Sequence, residues 1–107
     1  MNKIRLREKI AEIAGRPYFP IEVSKFNDQV ARVALFDGEF HWHQHEEDEL
    51  FFVYEGEIEV QFKEKENVRV KEGEFFVVPK KVEHCPKGVV PSYVIFFESS
   101  STNPKGD

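Results

Sequence analysis

The chain has 107 residues, of which 40% are hydrophobic and 33% are charged, and its formal net charge is −5 at pH 7. These values predict one globular domain with its own core, and they argue against a disordered chain or a nucleic acid bound through its phosphates. No apolar run reaches the roughly 20 residues of a transmembrane helix, and residues 1–15 lack the apolar stretch of a signal peptide. A single cysteine excludes an intrachain disulfide. We therefore expect a cytoplasmic protein.

The first predicted element is a short helix within residues 1–15. Asn2 is a suitable N-cap, Gly15 ends the pattern, and apolar residues recur at helical spacing at Leu6, Ile10, Ile13 and Ala14. From residue 16 to residue 98 the hydrophobic period changes to 2, which is typical of half-buried strands. The predicted strands are 30–36, 39–45, 50–54, 57–62, 68–70, 74–78 and 93–98, with a hairpin turn at Asp37-Gly38. Residues 99–107 form a polar tail that we expect to be loosely held.

Many short strands with turns between them predict an all-β barrel or sandwich. Three adjacent phenylalanine pairs refine this prediction, Phe51-Phe52, Phe75-Phe76 and Phe96-Phe97. Neighbouring strand residues face opposite sides, so each pair places one ring inside the barrel and one outside, in an order that the sequence leaves open. The outer rings need a cover that a short helix is too small to supply completely. We therefore expect a homodimer packed through one sheet.

A candidate metal site lies in the middle of the chain. His43 and His45 are one residue apart and would lie on the same side of a strand, and Glu49 can reach the same point if the chain turns in between. Two neutral imidazole nitrogens and one carboxylate oxygen suit a divalent transition metal ion. His84 is the well-placed candidate for a fourth ligand.

The stretch from His43 to Gly56 resembles the first motif of the cupin superfamily, Gly-x5-His-x-His-x3,4-Glu-x6-Gly, with both histidines, the glutamate and the closing glycine at the motif spacing. The segment from Gly73 to His84 resembles the second motif, Gly-x5-Pro-x-Gly-x2-His-x3-Asn. The chain departs from the two motifs at positions that are not metal ligands: Gly38 lies one residue too close to the first histidine, and Lys81 and Gly88 replace the inner glycine and the asparagine.

The resemblance implies a single small cupin barrel, a jelly-roll-like double-stranded β-helix, over residues 16–98. In this barrel one divalent metal ion would be held by His43, His45, Glu49 and His84. Histidine and glutamate suit zinc, iron, manganese, nickel and copper alike, so the identity of the metal stays open. Four protein ligands leave one or two coordination positions for water or a small-molecule substrate.

Two neighbours of these ligands have weaker claims to a role. His41 has the parity of His43 and His45, but a packing or surface role fits it better than contact with the site. Cys85 adjoins His84 and would face the opposite way on a regular strand, as a buried thiol.

Two functions of different classes are compatible with such a site. One is a metal-dependent enzyme that acts on a small organic molecule, with dioxygenase-like chemistry ahead of isomerase chemistry. The other is a non-catalytic module that binds or senses a small ligand. The sequence shows no second carboxylate placed for acid–base chemistry, and Arg32 and Arg69 are isolated from one another. Without an arginine cluster to hold a phosphate, a sugar-phosphate isomerase is disfavoured.

Overall fold

The computed structural model describes residues 1–106, in which one short helix is followed by seven strands. All the strand pairs are antiparallel. The predicted all-β class is thereby confirmed. No helix in the described part of the chain is long and apolar enough to cross a membrane. The elements are α1 Leu6–Ile13, β1 Ile21–Phe26, β2 Gln29–Glu39, β3 Glu49–Glu55, β4 Glu57–Phe62, β5 Val68–Lys71, β6 Phe75–Val78 and β7 His84–Ser99.

The long strand β7 connects the two halves of the barrel. Its C-terminal part pairs with β2 on one side and with β3 on the other, whereas its N-terminal part pairs with β4 and, at Lys87 and Gly88, with the end of β2. β1, β6 and β5 extend the sheet beyond β2, β3 and β4 respectively. Where β2 and β7 bend together, Gly38 pairs with Gly88 next to a change of register. A Cβ added at Gly88 would clash with the backbone carbonyl of Phe36, so this close approach requires glycine.

The barrel core is built from inward-facing aromatic and aliphatic side chains. The Phe51 ring lies edge-on to both Phe36 and Phe96, at centroid distances of 5.7 and 6.3 Å. Such burial stabilises the fold by roughly 25 cal/mol per Å² of apolar surface removed from water. The buried members of this cluster are Ala34, Phe36, Phe51, Val53, Ile58, Val60, Phe62, Val70, Val78, Val94 and Phe96.

The phenylalanine pairs divide between the two faces of the sheet as predicted. Phe51, Phe76 and Phe96 belong to the barrel core or pack against it. Their outward-facing neighbours are Phe52, Phe75 and Phe97, and Phe75 is 63% exposed. The structure therefore settles the order that the sequence left open.

Helix α1 covers a different part of the outer surface. Its Ile13 is completely buried against Val33 and Leu35 of β2, and Leu6 and Ile10 pack on the same cluster. The predicted start at Asn2 is wrong, because the helix begins at Leu6 and its N-cap makes no side-chain capping bond. The eight-residue helix leaves the outer rings on β3 and β6 outside this cluster.

Two predictions around residue 38 are wrong. The hairpin at Asp37-Gly38 does not form, because β2 continues to Glu39 and Gly38 accommodates a bulge with a φ of +69°. The predicted strand over 39–45 is not continuous, because the chain makes one isolated β-bridge there, from His43 to His84. His43 and His45 are therefore positioned by a loop with one β-bridge and not by a regular strand.

Two observed strands are not predicted by the sequence pattern. Residues 21–26 form β1 without a clean alternation of apolar and polar side chains. The first half of β7 contains Pro86 and Pro91, and prolines argue against a central strand. Pro91 lies between the part of β7 that pairs with β4 and the part that pairs with β3, where the missing N–H is tolerated.

Candidate metal centre

His43 and His84 face each other across the isolated β-bridge. The backbone N–H of each residue donates to the carbonyl oxygen of the other, with both distances 2.9 Å. In such a hydrogen-bonded antiparallel pair the two side chains lie on the same side, and here the ring centroids are 4.5 Å apart. Because His84 opens β7, which pairs with β4, closure of the barrel is what brings it to His43.

Backbone carbonyls orient both imidazole rings. Nδ1 of His43 lies 2.9 Å from the carbonyl oxygen of His41, and Nδ1 of His84 lies 2.9 Å from that of Val82. A carbonyl oxygen can only accept, so Nδ1 carries the proton and donates in each ring. The Nε2 atoms are left with their lone pairs, which is the usual arrangement of metal-binding histidines.

The Nε2 atom of His84 shows how well this site fits a cation. It is buried and has no hydrogen-bond partner among residues 1–106. Burial is also the main cause that lowers the pKa of His84 from its ordinary value, which favours the neutral ring that a metal requires. A buried nitrogen lone pair in a neutral ring is therefore available for coordination.

His45 and Glu49 join the two facing histidines. Oε1 of Glu49 lies 3.6 Å from Nε2 of His45 and 3.9 Å from Nε2 of His84. Both residues are buried. One ligand atom from each of His43, His45 and His84 lies within 4.8 Å of the other two. The structure thus brings together all four residues that the sequence predicts as ligands.

Loop contacts hold the segment between His45 and Glu49 in place. The backbone N–H of Lys81 donates to the carbonyl of His45 at 2.7 Å, and the N–H of Lys80 donates to the Asp48 carboxylate at 2.8 Å. Lys81 adopts a left-handed φ of +61°, at the position where the second cupin motif has glycine. Lys81 therefore adopts a backbone conformation that glycine reaches without steric cost.

A further carboxylate, Glu98, belongs to the same cluster. Ligand atoms of His45, Glu49 and Glu98 lie within 4.8 Å of one another. Glu98 is 1% exposed, and its carboxylate forms an ion pair with Arg32. The sequence analysis does not identify this second buried carboxylate or its ion pair with Arg32. The sequence contains one indication of this placement: Glu98 lies two residues after the inward-facing Phe96 and so faces the same side of the strand.

A narrow apolar pocket leads to the cluster. Its cavity of about 30 Å³ has room for roughly two water molecules. The hydroxyl of Tyr18 donates to the Gly38 carbonyl at 2.5 Å, and burial raises the pKa of Tyr18 above its usual range, so the phenol stays protonated. The pocket is lined by Tyr18, Pro20, Ala34, Phe36, Phe40, His43, Glu49, Phe51, Pro86, Phe96, Pro104 and Lys105.

The C-terminal tail forms part of this pocket wall through Pro104 and Lys105. Nε2 of His41 donates to the Lys105 carbonyl at 2.7 Å, and Thr102 is buried. A Cβ added at Gly106 would lie 3.0 Å from the Cβ of His43. His41 is outside both ligand groups, so the structure gives it the packing role that the sequence analysis favours.

Cys85 has the environment predicted for it. The side chain is completely buried and forms no disulfide. Burial raises the pKa of its thiol, which keeps the thiol protonated and unreactive.

Comparisons with known proteins agree with this geometry. The sequence model of the family described as "Cupin domain" matches residues 34–96. The chain is 35% identical over 91 residues to the uncharacterized protein YdbB of Bacillus subtilis (strain 168), a match that covers 84% of this chain and 80% of that protein. The crystal structure of a cupin-2 domain containing protein from Shewanella frigidimarina NCIMB 400 is similar with a TM-score of 0.83 and 30% identity, over 90% of this chain and 93% of that one.

The fold is also similar to that of an enzyme of known activity. The structure of hydroquinone 1,2-dioxygenase from Sphingomonas sp. TTNP3, with 4-hydroxybenzoate bound, matches with a TM-score of 0.73 over 92% of this chain and 80% of that one. The identity is 15%, so this likeness concerns the fold alone.

Proposed function

We propose that this chain, which belongs to the cupin family, is a metal-dependent enzyme that acts on a small organic molecule with dioxygenase-like chemistry. The metal would be one divalent transition ion held by His43, His45, Glu49 and His84. The observation that carries this proposal is the buried Nε2 of His84, which has no hydrogen-bond partner within residues 1–106 and lies 3.9 Å from the Glu49 carboxylate. Buried polar atoms without a hydrogen-bond partner are rare in folded proteins, and a bound cation would supply the missing partner of this nitrogen.

The donor set suits zinc, iron, manganese, nickel or copper. When bound, such an ion supplies Lewis acidity and, if it is redox-active, electron transfer to or from oxygen. The chain itself orients the imidazoles through the carbonyls of His41 and Val82. It also surrounds the site with apolar side chains, which exclude water and strengthen electrostatic interactions inside the pocket.

The pocket favours a small, flat and largely apolar substrate. Tyr18, Phe36, Phe40, Phe51 and Phe96 supply aromatic surfaces on which a ring could stack. No arginine lines the pocket in the described part of the chain, so a phosphate ester has no bidentate partner there. A cavity of about 30 Å³ is too small for an aromatic ring, so binding would require part of its wall to move, and the tail residues Pro104 and Lys105 belong to that wall.

A non-catalytic ligand-binding or sensor module is the second candidate. The small cavity and the tail bound across its wall favour it, because a segment that must move on binding can report the presence of a ligand. Metal analysis of protein purified without added metal, followed by oxygen-uptake screening with a panel of phenols, separates the two. An enzyme consumes oxygen and substrate with one metal. A binder shows only ligand-dependent stabilisation.

We also propose that the partner of this chain is a second copy of itself. Phe75 and Val77 on β6 are 63% and 49% exposed, and Phe26 on β1 is 51% exposed. With Leu50 and Phe97 they line one shallow apolar depression on the outside of the barrel. A two-fold dimer through this face would bury these side chains from both copies at once.

We propose the cytoplasm as the location of this protein. The support is its single cysteine, which is buried and needs no oxidising compartment.

A further inference from the structure

Two buried carboxylates stand side by side at the candidate metal centre. The register of β3 and β7 pairs Leu50 with Phe97. The next positions along the two antiparallel strands are Glu49 and Glu98, which therefore lie opposite each other and face the barrel interior. The two residues are 3% and 1% exposed. Like charges opposite one another on neighbouring strands destabilise a sheet, and buried carboxylates are costly unless they are paired. This pair of glutamates therefore requires positive charge.

Arg32 supplies one positive charge to the pair. Its guanidinium Nη1 forms an ion pair with Oε1 of Glu98, and its side chain is 16% exposed. Arg32 lies on β2, where it pairs with Phe96 and has the inward parity of Ala34. The Arg32 ion pair is made with Glu98, whereas the Glu49 carboxylate lies beside the Nε2 atoms of His45 and His84, at 3.6 and 3.9 Å.

His45 is shared by two alternative donor groups. One consists of His45 with the imidazoles of His43 and His84, and the other consists of His45 with the carboxylates of Glu49 and Glu98. Imidazole-rich sets suit zinc, copper and nickel, whereas carboxylate-rich sets suit manganese and other hard ions. Glu98, which belongs to the second group only, is also the carboxylate that forms the ion pair with Arg32.

We propose that Arg32 holds Glu98 outside the coordination shell and thereby sets the metal preference of the site. In this arrangement Glu49 is the carboxylate ligand, Glu98 is a positioning residue, and the nitrogen-rich donor group is favoured over the oxygen-rich one. The inference rests on the proposed metal site and deepens it, because it assigns selectivity to a pair of residues outside the predicted ligand set.

The test is a measurement of the affinity for Zn²⁺ and Mn²⁺ by competition with a chromophoric chelator. The wild-type protein is compared with Arg32→Met, which removes the cation but keeps an apolar side chain of similar length, and with the double variant Arg32→Met/Glu98→Gln. Release of the Glu98 carboxylate, a hard oxygen donor, should raise the preference for Mn²⁺ over Zn²⁺ by about tenfold in Arg32→Met. The double variant should return to the wild-type preference.

Glu98→Gln and Glu49→Gln form a second comparison that holds even if Arg32→Met does not fold. We expect Glu98→Gln to lower the affinity for both metals by about 10- to 100-fold, and Glu49→Gln, which removes a ligand oxygen, to lower it by more than that. Equal losses in the two variants would place Glu98 in the coordination shell and overturn the inference. An unchanged preference in a folded Arg32→Met would also overturn it, while wild-type metal binding would leave the proposed function standing. A wild-type protein that binds neither metal refutes both.

Discussion

Replacement of His84 by alanine should remove most of the metal affinity while leaving the barrel folded. His84 is 1% exposed, and its Nε2 is the buried nitrogen that faces the Glu49 carboxylate at 3.9 Å. The substitution deletes one of three imidazole donors together with the Nδ1 hydrogen bond to Val82. The barrel core is a separate cluster of phenylalanine, valine and isoleucine side chains, so it does not depend on this ligand.

The expected size of the metal-dependent change in Tm follows from the thermodynamic linkage between metal binding and folding. A metal present at 100 times its dissociation constant stabilises the folded state by about 2.7 kcal/mol. For a domain of this size 1 kcal/mol corresponds to roughly 4–8 °C in Tm, so the metal should raise the Tm of the wild-type protein by about 10–20 °C. In His84→Ala most of that increase should disappear. The metal-free variant should lose only about 1 kcal/mol for the missing hydrogen bond, plus a cavity contribution of similar size.

Thermal unfolding with and without metal, together with metal analysis by mass spectrometry, measures both quantities. Gln44→Ala is the matched control, because Gln44 is exposed and lies between His43 and His45 in the chain. The control should keep the full metal-induced increase in Tm. Full metal stoichiometry and an unchanged Tm increase in His84→Ala would refute the four-ligand assignment.

Three further predictions concern pH, backbone strain and assembly. Burial lowers the pKa of His84 in the folded protein, whereas the unfolded chain keeps a value of about 6.5, so at pH values between the two the unfolded chain binds more protons. The stability of the metal-free protein should therefore fall as pH drops below about 6.5. Bound metal should be released over the same range. Urea titrations at pH 7.5 and 5.5, with metal content measured beside a chelator, check this, and constant stability and occupancy would contradict it. Lys81 has a φ of +61°, so Lys81→Gly should stabilise the protein by about 0.5–1 kcal/mol while Lys81→Ala changes little, and equal urea midpoints for the two variants would show that the turn is unstrained. The wild-type protein should sediment as a dimer at low micromolar concentration and Phe75→Glu as a monomer, because Phe75 is 63% exposed on the proposed interface; a monomeric wild type would refute the dimer.

Local spacing by itself determined the strand-rich fold and the four candidate ligands. Alternation with a period of 2 predicts half-buried strands such as β4, whose burial alternates residue by residue. The spacing of His43, His45 and Glu49 brings three donors within reach of one another over a single short loop, so it can be read from the chain directly. His84 could be added because a second motif, Gly73-x5-Pro79-x4-His84, carries it.

Tertiary structure alone decided the parts that depend on distant segments. Which phenylalanine of each pair faces inward depends on which side of the sheet closes, and adjacent identical residues carry no sign of that side. The ion pair of Arg32 with Glu98, and the place of Glu98 beside Glu49, arise from the pairing of β7 with both β2 and β3. Likewise, β2 continues through Asp37-Gly38 because β7 supplies its hydrogen-bond partners, and these come from residues that are far away in the sequence.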